Sequence, residues 1–218
     1  MKEKNEIIAL EKYIDFSLLD ARATTADLEK LCDVAYKNQY QSVCVNSANV
    51  KYVSGYIKSK LNGAIGVSAV VGFPLGTTLT DVKILETRLA VKDGADEIGF
   101  MINVGRVKSG DFGYVKNEIS KIRKETKGLV FKVIVEACYL TENEIASLVK
   151  ICEKNKVDFI ETSTGFGATL VSIEKIKFML ELLTGKCGLK VSGGIKTREQ
   201  AIELINLGVL RIGTSKIL

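Results

Sequence analysis

Short β-branched and apolar runs alternate along the chain with longer segments whose apolar positions recur at three- and four-residue spacing. The first pattern predicts strands and the second predicts amphipathic helices. Strands are expected at Tyr13–Ser17, Ser42–Asn46, Ile65–Gly72, Glu97–Val104, Leu129–Ala137, Asp158–Ser163, Gly188–Ser192 and Leu210–Gly213. Helices are expected between them at Ala26–Asn38, Ala48–Leu61, Leu79–Asp93, Phe112–Thr126, Glu142–Asn155, Ser172–Leu183 and Arg198–Leu207. Thr24 and Thr25 ahead of Asp27 and Glu29, and Thr141 ahead of Glu142 and Glu144, read as N-caps with acidic first turns. Gly94 and Gly208 close two helices.

Eight strands alternating with seven long helices give an α/β fold of the (β/α)8 TIM-barrel kind. A doubly wound open sheet, the alternative, usually needs fewer strands. No linker or low-complexity stretch divides the chain, so residues 1–218 read as a single domain. An extra N-terminal helix, Glu3–Lys12, is expected to plug the barrel bottom. Only five residues follow Gly213, so the eighth helix is missing or vestigial. The outer face of the last strand then calls for other cover, such as a second subunit.

Barrels of this kind carry their sites at the C-terminal ends of the strands. Those ends hold Asp15, Cys44, Asn46, Gly72-Phe73-Pro74-Leu75-Gly76, Asn103, Glu136, the run Glu161 to Gly167, Ser192-Gly193-Gly194 and Gly213-Thr214-Ser215. Strand alternation puts Lys132, Ile134 and Glu136 on one face of strand five, with Lys132 beside Glu136. It likewise pairs Glu161 with Ser163 and Lys190 with Ser192.

Composition narrows the chemistry. An apolar share of 46% and a charged share of 26% are those of a soluble globular protein. Lys and Arg number 31 against 26 Asp and Glu, a mild and interleaved excess of +5. It suits small anionic ligands, and no basic run of the kind that tracks nucleic acid is present. The chain has no histidine, which excludes Ser-His and Cys-His nucleophile pairs, His-ligated zinc and imidazole acid–base catalysis. Its five cysteines are scattered, without CxxC spacing, so neither a disulfide framework nor a metal site is expected and a reducing cytoplasm is the natural home. Nothing calls for a cofactor. The first residues lack an apolar signal core, and no apolar run is long enough to span a membrane.

Eight segments in order resemble the deoxyribose-phosphate aldolases of the lysine-dependent class. They are Ile14 to Leu19, Ser42 to Asn46, Val71 to Gly76, Gly94 to Ile98, Lys132 to Glu136, Glu161 to Gly167, Lys190 to Ile195 and Arg211 to Ser215. The resemblance implies a TIM barrel that cleaves 2-deoxyribose 5-phosphate to acetaldehyde and glyceraldehyde 3-phosphate through an imine (Schiff base) on a strand-six lysine. In the family pattern that lysine directly precedes Thr-Ser-Thr-Gly; here the position is Glu161. The family's strand-four aspartate falls at Gly99, and its strand-one Asp-His pair reads Asp15-Phe16.

Imine formation needs a neutral amine, which the family secures by placing a second lysine, here Lys190, near the first. With Glu161 opposite, the sign reverses: the carboxylate favours the ammonium form, and an ion pair is expected. Lys190 or Lys132 as the key cation, Glu161 or Glu136 as acid–base and Asp15 as orienting group form the candidate catalytic set. Gly165, Gly193, Gly194, Gly213 and Ser215 are the candidate phosphate-binding set, since glycine loops let backbone N–H groups approach anionic oxygens. Cys44, Asn46, Asn103 and Ser192 complete the pocket, with Cys44 as a small buried hydrophobe. Three readings follow: an aldolase relative with altered or lost carbon–carbon lyase chemistry acting on a phosphorylated sugar or aldehyde; a non-catalytic sugar-phosphate-binding or scaffold relative; and a working aldolase with a relocated lysine. A homo-oligomer is compatible with each.

Overall fold

The structure is a computed structural model that describes residues 9–218. Eight parallel strands close into a barrel in chain order: β1 (Ile14–Leu18), β2 (Ser42–Asn46), β3 (Gly66–Val71), β4 (Glu97–Met101), β5 (Val130–Ile134), β6 (Phe159–Glu161), β7 (Gly188–Ser192) and β8 (Arg211–Thr214). The helices are α1 (Thr25–Lys37), α2 (Val50–Lys60), α3 (Thr80–Lys92), α4 (Val104–Lys108), α5 (Phe112–Glu125), α6 (Glu142–Lys154), α7 (Ile173–Leu182) and α8 (Arg198–Asn206). All seven expected long helices and all eight strands are present, with ends shifted by a few residues. The helix starts follow their caps: Thr24 with Asp27 and Thr141 with Glu144 form reciprocal capping boxes. Gly94 and Gly208 follow α3 and α8 at φ of 103° and 107°.

Periodicity sets the layers. In α1 the buried stripe is Leu28, Leu31, Cys32 and Ala35, and in α6 it is Ile145, Leu148, Val149 and Cys152, both at helical spacing. Stripes of this kind cover the outward faces of the strands, where Val43, Val45, Val67, Val71, Val133 and Ile212 are all buried. The inward faces differ from one side of the barrel to the other. Cys44, Val70, Met101 and Ile134 of β2–β5 form a separate apolar cluster. Asp15, Glu97, Lys132, Glu161, Lys190 and Arg211 supply charge from β1 and β4–β8, all buried.

Three local outcomes depart from expectation. β4 ends at Met101 because Asn103 caps the short α4, its side chain accepting from the Arg106 N–H at 3.2 Å. β5 ends at Ile134 because Glu136 adopts a left-handed conformation at φ 50°. Of the N-terminal helix expected over Glu3–Lys12, residues 3–8 lie outside the described residues, and Leu10–Tyr13 is a 3-10 turn. Among the described residues no helix follows β8. The outer face of that strand is nonetheless closed within the chain: Ile212 is fully buried. Nearby, Leu218 packs on the core and its N–H donates to the Tyr40 hydroxyl at 3.1 Å. Among the described residues, no helix is long and apolar enough to cross a membrane.

Candidate functional site

Register assembles the floor of the site. Glu161 on β6 is level with Lys190 on β7, and Lys190 is level with Arg211 on β8, so the three side chains stand in a row on the inner face. The Lys190 ammonium lies 2.8 Å from Asp15 Oδ2 and 3.1 Å from Glu161 Oε1. Lys132 Nζ lies 2.8 Å from the same Asp15 oxygen and 2.5 Å from Glu97 Oε2. Arg211 joins the other side, with Nη1 at 2.6 Å from Asp15 Oδ1 and 3.2 Å from Glu97 Oε1. Ser42 donates to Asp15 Oδ1 at 2.7 Å, and Ser192 donates to Glu161 Oε1 at 2.6 Å. Three cations and three carboxylates thus form one buried, charge-balanced network centred on Asp15.

That geometry fixes protonation. Burial by itself would raise the Asp15 pKa, but Lys132, Lys190 and Arg211 outweigh it and hold the carboxyl well below its ordinary value. Burial would likewise lower the Lys190 pKa, yet Asp15 and Glu161 overcome it and push the ammonium's pKa upward. Lys190 is therefore firmly protonated. Burial raises the Cys44 thiol, which agrees with a small apolar side chain and against a nucleophile.

Above this floor a cavity of about 670 Å³ opens between the strand ends. Leu19, Cys44, Val70 and Phe73 form its apolar side, while Asp15, Glu161, Lys190 and Ser192 form its polar base. At the opposite corner lie Gly165, Gly193, Gly194, Gly213, Ser215 and two lysines, Lys196 and Lys216. Gly165, Gly193 and Gly194 have φ of 82°, 86° and 75°, where only glycine is unstrained. Among the described residues the N–H groups of Gly165, Gly193, Gly194 and Ser215 donate to no protein acceptor. Free backbone N–H groups therefore stand beside two lysines at this corner of the cavity. Phe166 meets Phe73 edge-on across the mouth, ring centroids 5.5 Å apart.

The DeoC/LacD family aldolase model matches residues 9–210. The chain belongs to this aldolase family. It is 46% identical over 206 residues to the deoxyribose-phosphate aldolase of Finegoldia magna, covering 94% of this chain and 95% of that one. It is 42% identical to the deoxyribose-phosphate aldolase of Thermococcus kodakarensis over 94% of this chain and 92% of that one. The solved aldolase QR15 superposes with a TM-score of 0.90 at 38% identity, over 96% of this chain and 92% of that one. A deoxyribose phosphate aldolase of Aeropyrum pernix, described as a unique tetramer, superposes at 0.85 with 28% identity, over 94% of this chain and 86% of that one.

Within this family barrel, Asp15, Glu161, Lys190, Ser192, Cys44 and the glycine corner come together as the strand alternation anticipates. Four residues stand elsewhere. Lys132 lies beneath the cavity, and its partners are Asp15 and Glu97 rather than Glu136. The reason is the left-handed turn at Glu136, which sends that carboxylate toward the loop after β6. There it accepts from the Thr164 N–H at 3.1 Å and from the Thr164 hydroxyl. Asn46 donates to the Leu19 carbonyl at 3.4 Å, and Asn103 is consumed as a helix cap; neither lines the cavity. Sequence reasoning missed Glu97 and Arg211, which complete the network, although alternation along β4 and β8 carries the signal for both. It also missed Lys196 and Lys216, which are ordinary loop lysines until the barrel brings them to one corner.

Proposed function

We propose that this DeoC/LacD-family barrel binds a small phosphorylated sugar or aldehyde at its mouth and that the imine-dependent lyase chemistry implied by the family resemblance is lost. One observation carries the reading: Lys190, the lysine at the base of the cavity, is gripped between Asp15 and Glu161 at 2.8 and 3.1 Å and held protonated. An ammonium has no lone pair with which to attack a carbonyl. Lys132 is paired twice over and stands outside the cavity lining. The free N–H groups and lysines of the opposite corner support phosphate recognition. The names of the relatives support the sugar phosphate as the class of ligand. The closed barrel supports a single domain over residues 1–218. Free thiols at all five cysteines support a cytoplasmic home, and the tetrameric relative supports self-association.

A second reading keeps a catalytic role for Glu161, because its carboxylate borders the cavity with a serine hydroxyl at 2.6 Å. In that case a proton-transfer reaction on the same ligand replaces carbon–carbon cleavage.

Borohydride trapping tests the proposal. The protein is incubated with 2-deoxyribose 5-phosphate or acetaldehyde and reductant, then read by intact mass and peptide mapping, while calorimetry follows phosphate-ester binding. The expected result is binding without a covalent adduct, beside a control aldolase that labels fully. An adduct on Lys190 or Lys132 would overturn the loss of imine chemistry.

A further inference from the structure

Resting on the proposed mouth-binding reading, the unused hydrogen-bonding capacity of the floor says which functional group the ligand presents there. Both partners of Glu161, the Ser192 hydroxyl and the Lys190 ammonium, meet the same oxygen, Oε1. Among the described residues Oε2 has no partner, although Glu161 is only 6% exposed and borders the cavity. That oxygen reaches the cavity surface, so it is an acceptor open to a donor on the ligand. Lys190 carries three N–H bonds and pairs with two carboxylates, Asp15 and Glu161, so its ammonium has capacity for one further acceptor on the cavity side.

The two vacant valences define a chemical type. A hydroxyl both donates and accepts, so it satisfies Glu161 Oε2 and the Lys190 N–H together. A carbonyl oxygen only accepts, and would set its lone pairs against the carboxylate. The network adds a second restriction, because its three cations and three carboxylates are already balanced. A ligand carboxylate at this end meets Glu161 as a like charge with no spare cation to offset it. An anionic group belongs instead at the corner of Gly193, Gly194, Lys196 and Lys216.

We infer that the ligand of this barrel is a phosphate ester whose far end is an alcohol, as in an alditol phosphate or the closed ring form of a sugar phosphate. That alcohol donates to Glu161 Oε2 and accepts from Lys190. The substitution that removes the imine lysine thereby converts a carbonyl-directed floor into a hydroxyl-directed one.

The test measures Kd by calorimetry for four probes: inorganic phosphate, 2-deoxyribitol 5-phosphate, its analogue with methyl in place of the terminal hydroxymethyl, and 2-deoxyribonate 5-phosphate. The alditol is expected to bind about tenfold or more tighter than the methyl analogue, the size of effect that a hydrogen bond to a charged group gives. The carboxylate probe is expected to bind more weakly than the alditol. Glu161→Gln should reduce the alditol-to-methyl ratio to a few-fold. If the esters bind with no discrimination between alcohol and methyl, or if the carboxylate probe binds best, the inference is overturned and the mouth-binding reading stands. If none of the four probes binds, both fall together.

Discussion

The network centred on Asp15 gives a quantitative expectation for Asp15→Asn. The side chain is fully buried, accepts from Lys132, Arg211 and Ser42, and is ion-paired with Lys190. An asparagine of nearly the same shape removes the charge and leaves the floor one cation in excess. None of the three cations is stranded, since Lys190 keeps Glu161 and both Lys132 and Arg211 keep Glu97. The cost is therefore that of breaking one buried ion pair, about 3–5 kcal/mol, and not three times that. For a chain of this length the melting temperature should fall by about 6–20 °C. The assay is urea unfolding with the slope held constant, so that only the midpoint reports stability.

A cycle with Lys132→Met sharpens the argument. The double variant restores charge balance, so it should be less destabilised than the two single changes combined, with an interaction energy of about 0.5–3 kcal/mol. A loss under about 1 kcal/mol for Asp15→Asn would show that the pairing contributes little. Additivity within about 0.3–0.5 kcal/mol would show that the two residues do not share one network. Either result refutes the reasoning.

Other expectations are simpler. The folded Asp15 pKa is depressed, so its stabilisation is present above the ordinary carboxylate value and is lost as pH falls through the folded one; the raised Lys190 pKa gives stabilisation that holds below about pH 10 and is lost only above it. Urea midpoints should be flat between those limits and drop on the acid side below about pH 4, and Asp15→Asn should flatten that acid arm; an unchanged acid slope would refute the assignment. Behind the barrel, Lys83 on α3 and Glu118 on α5 form a buried pair at 3.0 Å, with Glu118 Oε2 unpartnered. Lys83→Met should cost about 3–5 kcal/mol by chemical denaturation, whereas Lys83→Met with Glu118→Leu should be near neutral or stabilising. At Gly194 an added Cβ lies 2.5 Å from both Leu170 methyls at φ 75°, so Gly194→Ala should lose about 1–3 kcal/mol and weaken phosphate binding in calorimetry.

The fold was legible because each layer has its own period. Outward strand positions such as Val43 and Val45 and helix stripes such as Leu28-Leu31-Cys32-Ala35 repeat at two and at three-to-four residues, and eight such alternations at this length fit a barrel better than the doubly wound sheet, which usually needs fewer strands. Site residues that follow strand alternation were legible for the same reason. Glu136 was not: a single residue at φ 50° breaks the period, and periodicity cannot report a left-handed turn at a non-glycine. Glu97 and Arg211 lay within recognised strands but gain meaning only through partners on other strands, 35 to 196 residues away, a relation the closed barrel creates. Asn103 reads as a strand end until the short α4 claims it as a cap.

If imine chemistry is lost as proposed, the charge inventory of the floor explains why two lysines survive there. With a lysine at position 161 and an aspartate at position 99, as the family pattern implies, four cations would face three carboxylates. A buried network with one surplus cation is relieved when one lysine gives up its proton, which is the amine that imine formation needs. The present chain has three of each, and every cation has a carboxylate within 3.1 Å. Glu161→Gln recreates the surplus by one atom's change: Lys190 loses its second carboxylate, and its pKa must fall. Each unit of that fall raises the free-amine fraction about tenfold at a fixed pH below the pKa. Borohydride with acetaldehyde should therefore label Lys190 in Glu161→Gln, more strongly as pH rises toward 9, and leave the parent protein unlabelled. Equal labelling of both would show that pairing with Glu161 does not control the amine. A folded Glu161→Gln variant that stays unlabelled at pH 9 would show that charge balance alone does not hold Lys190 inert.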